Sequence, residues 1–344
     1  MDREEAIIRL SAWDDQELFY KDYLDVQNGI LPGSCLHDRW GTRGEDYLSA
    51  ISSLDNTVLL ESHYLEASYD IAISKSPRYT LPFWHAHEFF ELVYVLSGNC
   101  CIYINNECIP LSQGDFFMIA PQVSHQISTK SPDTIALNIL IRSSTLLNIF
   151  LNSLRDRTLI SVFFLSHTCH GGSYHNDYLI FHTGKDEIIR NYILDIYLES
   201  LEHDACSNRI LVSLANILFA QLIRRHAEHV EMPVSAERNS ELITDIIGYI
   251  IDHFTDCTLS SLAEHLHFSM TYCSRIIKET TGCTFSQLLA EVRISKAASL
   301  LTTTPMKIEE ISTYLGYKNP ETLIRVFKKL TGSTPSAYRK KQSV

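Results

Sequence analysis

Residues 275–286 read RIIKETTGCTFS, and residues 325–336 read RVFKKLTGSTPS. The two stretches share an arginine, a lysine, a Thr-Gly pair, a threonine and a serine, each at an offset of 50 residues. Further upstream, Leu262-Ala263 and Ile311-Ser312 match at an offset of 49, so the second copy has one extra residue in its turn. A duplicated supersecondary unit is the simplest explanation, and two copies make a tandem pair rather than a solenoid.

Each copy has the pattern of a helix, a tight turn and a second helix. Ser269 and Asn319 are predicted to cap the second helices at their N-termini. Gly282 and Gly332 are predicted to end those helices. Between the copies, residues 285–301 have the spacing of one amphipathic helix, which would hold the two units rigidly apart.

The overall net charge of −12 hides an asymmetry between the two ends of the chain. Residues 1–239 carry 17 Lys and Arg against 31 Asp and Glu, whereas residues 257–344 carry 12 against 6. A basic end on an acidic body is expected when only that end contacts phosphate. The alternative is a five- or six-helix bundle with a solvated charged face, which leaves the recurrence of the arginines unexplained.

Residues 241–340 resemble the DNA-binding domain of the AraC/XylS family of bacterial transcription regulators. The resemblance rests on matching residues in both copies: Leu262-Ala263, Ser269, Arg275, Lys278, Thr281-Gly282, Arg293, Ala297, Leu300-Leu301, Ile308, Ile311, Gly316-Tyr317, Arg325 to Lys328, Thr331-Gly332, Thr334-Pro335 and Tyr338-Arg339. Two departures occur. His267 stands where the family usually has glycine, at a cost of about 1 kcal/mol in a left-handed turn. Cys273 and Ile277 replace a leucine and a phenylalanine, which predicts a looser first unit.

The resemblance implies that the second helix of each copy enters a major groove, with the two helices about one DNA turn (~34 Å) apart. The implied base-reading residues are Thr271, Ser274, Arg275, Glu321, Thr322 and Arg325. Each arginine can donate two hydrogen bonds to a guanine, and Glu321 can accept one from a cytosine amine. The predicted phosphate contacts are Lys278, Lys328, Lys329, Arg339, Lys340 and Lys341. Thr271 and Ser274 have the alternative of phosphate contact.

The middle of the N-terminal part is predicted to form short strands. Residues 91–96 and 100–105 flank Ser97-Gly98-Asn99 and predict a hairpin, and further strands recur about every ten residues. With turns at Gly98, Gly114-Asp115 and Pro121 to His125, residues 60–145 resemble the cupin-type sensor domain of many such regulators. The predicted fold class is α+β: an N-terminal cupin-like β-barrel with a helical extension, joined to an all-α C-terminal domain of two helix-turn-helix units.

Five segments follow from these patterns. They are an extension (1–60), the cupin-like sensor (61–145), a helical region that packs on the barrel (146–230), a linker (231–240) and the DNA-binding domain (241–344). The helical region has an apolar stripe wider than a coiled-coil seam, which fits either core packing or a homodimer interface.

A cluster of titratable residues stands out in the sensor. His85, His87 and Glu91 share one face of an extended chain, and a barrel would return His125 to the same cavity. Three imidazoles and a carboxylate suit Zn²⁺, Fe²⁺ or Mn²⁺, and the spacing matches the first motif of metal-binding cupins. The preferred interpretation is instead a polar lining for an organic effector, so no cofactor is predicted. The predicted effector-binding residues are Trp84, His85, His87, Glu91, Tyr94 and His125.

Two further groups have structural interpretations. A second cluster, which comprises His167, Cys169, His170, His175 and His182, has irregular spacing in a glycine-rich loop and is interpreted as loop chemistry. The nine cysteines contain no C-x-x-C pair and are interpreted as free thiols, mostly buried.

These patterns predict a non-enzymatic regulator that stays in the cytoplasm, since neither a secretory signal nor a membrane span is recognisable. By resemblance, its partners are double-stranded promoter DNA, a small-molecule effector such as a sugar, and RNA polymerase, with activation as the more common output. Two alternatives stay open: a metal-dependent cupin sensor or enzyme fused to the DNA-binding domain, and a factor that responds to no ligand.

Overall fold

The chain divides into two units of different secondary structure. The computed structural model describes residues 1–146, 149, 163, 178–233 and 240–342. Met1–Arg142 with Tyr178–Glu231 make up the first unit, and Ser143–Asp177 with Met232–Val344 make up the second. The first unit is rich in strands, and the described part of the second is mostly helical, so the predicted α+β class is confirmed. Within the described residues, no helix combines the length and the apolar character needed to cross a bilayer.

Helices begin the first unit. They are α1 (Arg3–Ser11), α2 (Asp15–Gln27), α3 (Ser34–Leu54) and α4 (Glu61–Tyr64). Capping boxes begin α1 and α2, the second of them built from Asp14 and Glu17. The fully buried Glu17 carboxylate also binds Arg78 at 2.7 Å and Lys75 at 2.8 Å. Because a buried charge needs such partners, this cluster fastens the helical extension to the strands.

Two sheets form the centre of the first unit. Their strands are β1 (Thr57–Leu59), β2 (Ile71–Ser76), β3 (His85–His87), β4 (Phe90–Ser97), β5 (Asn99–Ile104), β6 (Glu107–Ser112), β7 (Asp115–Ile119), β8 (His125–Ser128), β9 (Ile135–Ile141), β10 (Tyr178–His182) and β11 (Val230–Glu231). One sheet has the order β1-β3-β8-β5-β6, and the other has the order β11-β10-β7-β4-β9-β2.

The predicted hairpin between residues 91–96 and 100–105 is wrong, although both strands exist. β4 pairs with β7 and β9, whereas β5 pairs with β6 and β8 in the other sheet. Gly98 takes the chain from one sheet to the other with a φ of 73°, and a Cβ there would lie 2.8 Å from Thr134 Cα. The true hairpin turn is Asn105-Asn106, where both φ angles are positive, as a type I′ turn requires.

The prediction of nine free thiols is also wrong. Cys101 and Cys108 form a disulfide across β5 and β6, with their Cα atoms 6.1 Å apart, and Cys283 is disulfide-bonded as well. The hairpin register explains the first bond, because Cys101 pairs with Pro110 and Cys108 with Tyr103, so the two cysteines are diagonal neighbours on adjacent strands. Sequence spacing alone gives no sign of that register.

Two long helices follow β10. They are α5 (Glu187–Glu199) and α6 (Ser207–His226). Phe219 of α6 packs its ring 6.2 Å from that of Phe116 on β7. The helices therefore cover the outer face of the six-stranded sheet.

The second unit holds the repeat. Its described helices are α7 (Ser240–Asp252), α8 (Leu259–His265), α9 (Met270–Thr281), α10 (Phe285–Thr303), α11 (Ile308–Tyr314), α12 (Pro320–Thr331) and α13 (Pro335–Gln342). The described residues of this unit form two apolar cores, one for each copy. The linking helix α10 contributes Leu288 and Val292 to the first core, and Ala297 and Leu301 to the second. Since one rigid helix belongs to both cores, the two copies have a fixed relation to each other.

Candidate functional site

The second helix of each repeat copy is capped as predicted. Ser269 Oγ accepts a hydrogen bond from the Tyr272 backbone N–H at 3.2 Å, and Asn319 Oδ1 accepts one from Thr322 at 2.9 Å. Gly282 and Gly332 end the helices with φ angles of 70° and 74°. These caps set where α9 and α12 begin, and therefore which side chains occupy their exposed first turns.

Both repeat arginines are exposed. The Arg275 guanidinium lies 5.3 Å from the centre of the Tyr272 ring and 3.7 Å from a Glu279 carboxylate oxygen. Arg325, its counterpart on α12, is also exposed, and the described residues supply it with no hydrogen bond, ion pair or ring contact. Both guanidinium groups are thus accessible to a ligand at equivalent places.

The other predicted base-reading residues have different surroundings. Thr271 and Glu321 are exposed, and Ser274 is half-buried. Thr322 is half-buried as well, and its hydroxyl donates to the capping Asn319 side chain at 2.7 Å. The repeat offset of 50 aligns Thr322 with Tyr272, and it aligns Ser274 with the half-buried Ile324.

Ile324 is therefore a residue that the sequence analysis missed. At 3.6 residues per turn it shares a face with Glu321, Arg325 and Lys328, whereas Thr322 lies to one side of that face. The repeat itself contained the signal, because position 324 is position 274 shifted by 50.

Of the predicted phosphate contacts, Lys278, Lys328, Lys329 and Lys340 are exposed, and the Lys278 ammonium also donates to the Gly282 carbonyl. Arg339 has hydrogen-bond partners within the second unit. Its Nε donates to the Leu301 carbonyl at 3.0 Å, and its Nη2 donates to the Met306 carbonyl at 2.6 Å. The guanidinium thus gives a donor to one of the last carbonyls of α10, which have no partner within the helix, and to a carbonyl of the loop that follows.

Arg293 makes a similar contact at the other end of the second unit. Its Nε donates to the Phe254 carbonyl at 2.7 Å, and its Nη2 donates to that of Thr255 at 3.0 Å. The Tyr317 ring lies 5.2 Å below the guanidinium. Arg293 and Arg339 thus each fasten the chain that precedes a helix-turn-helix copy.

A histidine cluster lies between the two sheets of the first unit. His85 on β3 pairs directly with His125 on β8, and Glu91 reaches them from β4. One ligand atom from each of these three residues lies within 4.8 Å of the other two. Glu91 Oε2 is 3.0 Å from His125 Nε2 and 3.2 Å from His87 Nε2. The four predicted residues are buried and come together.

Backbone carbonyls fix the tautomers of two of these rings. His87 Nδ1 lies 2.6 Å from the Phe89 carbonyl, and His125 Nδ1 lies 3.0 Å from that of Val123. Each Nδ1 must therefore carry a proton and donate it, which leaves Nε2 of the neutral ring with a lone pair. Both lone pairs then face the Glu91 carboxylate, an arrangement that needs a positive charge, from an extra proton or a cation, at its centre.

The protonation of the cluster follows from its burial. Burial lowers the pKa of His85 to about 4, and it also lowers the pKa of His87. Burial opposes ionisation of Glu91, but contacts with His125 and His87 outweigh it and hold the pKa of that carboxyl well below its ordinary value. His85 Nδ1 is buried without a hydrogen-bond partner. This donor set fits a divalent cation, and it equally fits a ligand with several hydroxyl groups.

Aromatic rings flank the cluster. Phe83 stacks on His85 at 4.6 Å, and Phe89 stacks on His87 at 4.8 Å. Tyr64 of α4 lies 6.0 Å from Phe89, and burial together with the Glu91 charge raises the pKa of its hydroxyl. The sequence analysis missed Phe89 and Tyr64, although Phe89 continues the alternation of 85, 87 and 91.

Two predicted effector-binding residues do not join the cluster. Tyr94 alternates with Glu91 along β4 and lies on the opposite face, where its ring is 6.4 Å from Phe116 beneath α6. The prediction for Tyr94 is therefore wrong, and strand alternation is the reason. Trp84 is half-buried just before β3, where its backbone N–H donates to Asp55 at 2.7 Å.

Of the second histidine cluster, only His182 is described. Its Nδ1 lies 2.8 Å from Asp115 Oδ1, and its Nε2 lies 3.1 Å from Glu231 Oε2. Burial lowers the pKa of His182, but these two carboxylates raise it by more. His167, Cys169, His170 and His175 lie outside the described residues.

Two family models match the chain. Residues 262–341 match a model described as a helix-turn-helix domain, and residues 75–140 match a model described as a cupin domain. These matches cover the repeat with its exposed arginines and the strands that hold the histidine cluster.

Several known proteins are similar to the chain. The HTH-type transcriptional activator RhaR of Salmonella dublin is 28% identical over 262 residues, which cover 74% of this chain and 86% of that protein. The uncharacterized HTH-type transcriptional regulator YtdP of Bacillus subtilis is 38% identical over 109 residues, which cover 31% of this chain but only 14% of that protein. The solved C-terminal domain of AraT, a response regulator from Geobacillus stearothermophilus, is 40% identical, with a TM-score of 0.29; the match covers 30% of this chain and 88% of that domain.

Proposed function

The chain belongs to the AraC/XylS family of transcription regulators and carries a cupin domain before its helix-turn-helix domain, and from this premise we propose that it activates transcription in response to a polyhydroxyl effector. Its matched relatives are named as transcription regulators rather than enzymes, and RhaR is named as an activator. The binding residues, the effector and the direction of the response are our proposals.

DNA reading is assigned to α9 and α12, each in a major groove. One observation carries the assignment: two exposed arginines, Arg275 and Arg325, occupy equivalent positions on two capped helices. Thr271, Ser274 and Glu321 would make further base contacts, together with Ile324 in place of Thr322. Lys278, Lys328 and Lys329 would contact phosphate oxygens.

The test is a double substitution, Arg275→Ala with Arg325→Ala, in the full chain. We expect it to abolish the footprint on the promoter that the wild type protects, because each arginine is worth about 1–3 kcal/mol of base discrimination. Arg9→Ala, at an exposed arginine of α1, is the matched control and should leave the footprint unchanged. An intact footprint in the double variant would refute the assignment.

The effector is assigned to the histidine cluster. Two imidazole lone pairs and a carboxylate converge there beside the rings of Phe83 and Phe89. Such a site offers acceptors to a ligand that is rich in hydroxyl donors, and its flat rings suit the apolar faces of a sugar. A carboxylate ligand would instead meet the Glu91 charge at close range.

A thermal-shift screen of the full chain tests this assignment. Neutral sugars and polyols should include a compound that raises the melting temperature of the wild type but not that of Glu91→Gln, whereas hydroxy acids should not. If only acids raise the melting temperature, the polyhydroxyl class is wrong; if no compound does, the assignment of an organic effector to the cluster is refuted.

A divalent cation in the cluster is a second candidate, and the convergence of lone pairs on one buried carboxylate favours it. His85, His87, His125 and Glu91 would hold the ion, and a cation there could itself coordinate the hydroxyl groups of an effector. Elemental analysis of the purified chain distinguishes the candidates. A stoichiometric metal that is lost in His125→Ala supports the cation, and its absence at every stage of purification argues for the organic ligand alone.

A homodimer is proposed through α5 and α6. Ile210 and Ile217 of α6 are 40% and 43% exposed, as is Ile188 of α5 at 40%, so an apolar stripe lies outside the core. A two-fold partner that covers this stripe would place two DNA-binding domains on one promoter. Sedimentation should show a dimer for the wild type and a monomer for Ile210→Asp with Ile217→Asp; a monomeric wild type would refute the proposal.

A further inference from the structure

Met270 is the first residue of α9, and its long apolar side chain is 54% exposed. Most large apolar side chains in the described helices of the repeat lie in one of its two cores. A methionine at this place leaves apolar surface in water and makes no contribution to either core. Contact with a binding partner is the simplest explanation for such an exposed apolar residue.

The position of Met270 places it with the proposed base-reading residues. At 3.6 residues per turn, Met270, Thr271, Ser274, Arg275 and Lys278 fall within an arc of roughly 140° on α9. All five line one open concavity of ≈ 670 Å³ beside the start of α8. Whatever fills this concavity contacts the methionine as well as the arginine.

The chemistry of base edges selects one partner for this side chain. In the major groove, guanine, cytosine and adenine present donors and acceptors, and only thymine adds a methyl group. A thioether is a poor acceptor and has no proton to donate, but it is flexible enough to pack against a methyl group. The first turn of a recognition helix is also the part that approaches base edges most closely.

We propose that Met270 is a specificity-determining residue that packs on the 5-methyl group of a thymine in the half of the site read by α9. The inference rests on the proposed function, since it needs α9 in the major groove. The second copy provides an internal control, because the repeat offset of 50 aligns Met270 with the half-buried Pro320. A methionine contact at the first position of a recognition helix is therefore confined to the half of the DNA site read by α9.

The experiment removes the methyl group and nothing else. A duplex is selected from a random library by the full chain, and each dT is replaced in turn by deoxyuridine. We expect one replacement in the α9 half to weaken binding by the wild type about 3–10-fold. Met270→Ala should bind the original duplex with a similar loss and should be indifferent to that replacement, whereas Met270→Leu should behave as the wild type does.

The failures are distinguishable. If a duplex is selected but every deoxyuridine affects the wild type and Met270→Ala equally, the methionine contact is refuted and the DNA assignment stands. If the thymine whose replacement ceases to matter in Met270→Ala lies in the half read by α12, the assignment of Met270 is likewise refuted. If the full chain enriches no sequence at all, the proposed function fails together with the inference.

Discussion

The two helix-turn-helix copies make the same turn with different residues. In the first copy His267 has a φ of 57°, and in the second copy Gly316 has a φ of 78°. A Cβ on Gly316 would lie 1.9 Å from the Thr255 carbonyl oxygen, so this turn approaches the loop after α7 too closely for any side chain. Both turns need a positive φ. The first turn has room for the His267 side chain, whereas the second has no room for a Cβ and therefore requires glycine.

The largest predicted effect breaks the second turn. Gly316→Ala must displace backbone, and we expect it to destabilise the second copy by on the order of 4 kcal/mol. Gly332→Ala is the matched control, because Gly332 also has a positive φ (74°) but a Cβ at that position would have no neighbouring atom within 4 Å. It should cost only about 1 kcal/mol. Equal losses in the two variants would mean that the contact with Thr255 is not what demands glycine.

The measurement for the stability predictions must report on the second unit. All three tryptophans, Trp13, Trp40 and Trp84, lie in the first unit, so their fluorescence is uninformative. Hydrogen exchange of peptides from α10 and α12, followed by mass spectrometry, measures the local free energy of opening instead.

The second prediction concerns a buried carboxyl group of the linking helix, which interacts with a lysine of the second copy. Glu291 of α10 is buried, and its burial, opposed by Lys329 of α12, raises the pKa of its carboxyl to about 7. Tyr317 also faces it, and the Glu291 charge contributes to a raised pKa of that phenol. The first copy has Glu279 at the position equivalent to Lys329, so the interaction belongs to the second copy alone.

The folded state holds the Glu291 proton at pH values where the unfolded state, with a pKa near 4.5, has released it. The stability from this group is therefore fully present below about pH 4.5 and is lost as the pH rises to about 7. Glu291→Gln should remove this pH dependence. At pH 8 the local free energy of opening of α10 should be about 2 kcal/mol higher in the variant than in the wild type. An unchanged pH profile in the variant would contradict the prediction.

The third prediction separates the two kinds of cation in the second copy. Arg339→Ala leaves the Leu301 carbonyl, in the last turn of α10, and the Met306 carbonyl, in the loop that follows, without their donor. It should therefore destabilise the second copy by about 1–3 kcal/mol. It should leave the salt dependence of DNA binding unchanged. Lys328→Ala should do the reverse, with little loss of stability and a slope of log Kd against log salt that falls by about 1. A lower slope for Arg339→Ala would restore its role in phosphate contact.

How much of the fold could be predicted depended on the range of the interactions. The repeat and the caps at Ser269, Asn319, Gly282 and Gly332 are local, and each is predicted correctly. The pairing of β4 and β5 with distant strands, and the disulfide between Cys101 and Cys108, depend on register that no local pattern encodes. The carbonyls that occupy Arg339 lie more than thirty residues away in sequence.

The candidate site shows the same division. Alternation along an extended chain correctly gathers His85, His87 and Glu91, although they lie on two strands rather than one. The same rule, applied one step further, places Tyr94 on the opposite face and Phe89 on the same face as the histidines. Tyr64 comes from α4 in the helical extension, and only the three-dimensional fold brings it to Phe89.

The smallest predicted effect sharpens the comparison of the turns. His267→Gly should relieve roughly 1 kcal/mol of left-handed strain, but glycine also adds conformational freedom to the unfolded chain at a cost of ~0.4–1 kcal/mol. The balance is a net stabilisation of at most about 0.6 kcal/mol for α8 and α9, with DNA affinity unchanged. His267→Val is the matched control and should destabilise, because a β-branched residue tolerates positive φ worst. If glycine instead lowers the hydrogen-exchange protection of α9, the His267 imidazole makes a contact that stabilises the first turn by more than its backbone strain costs.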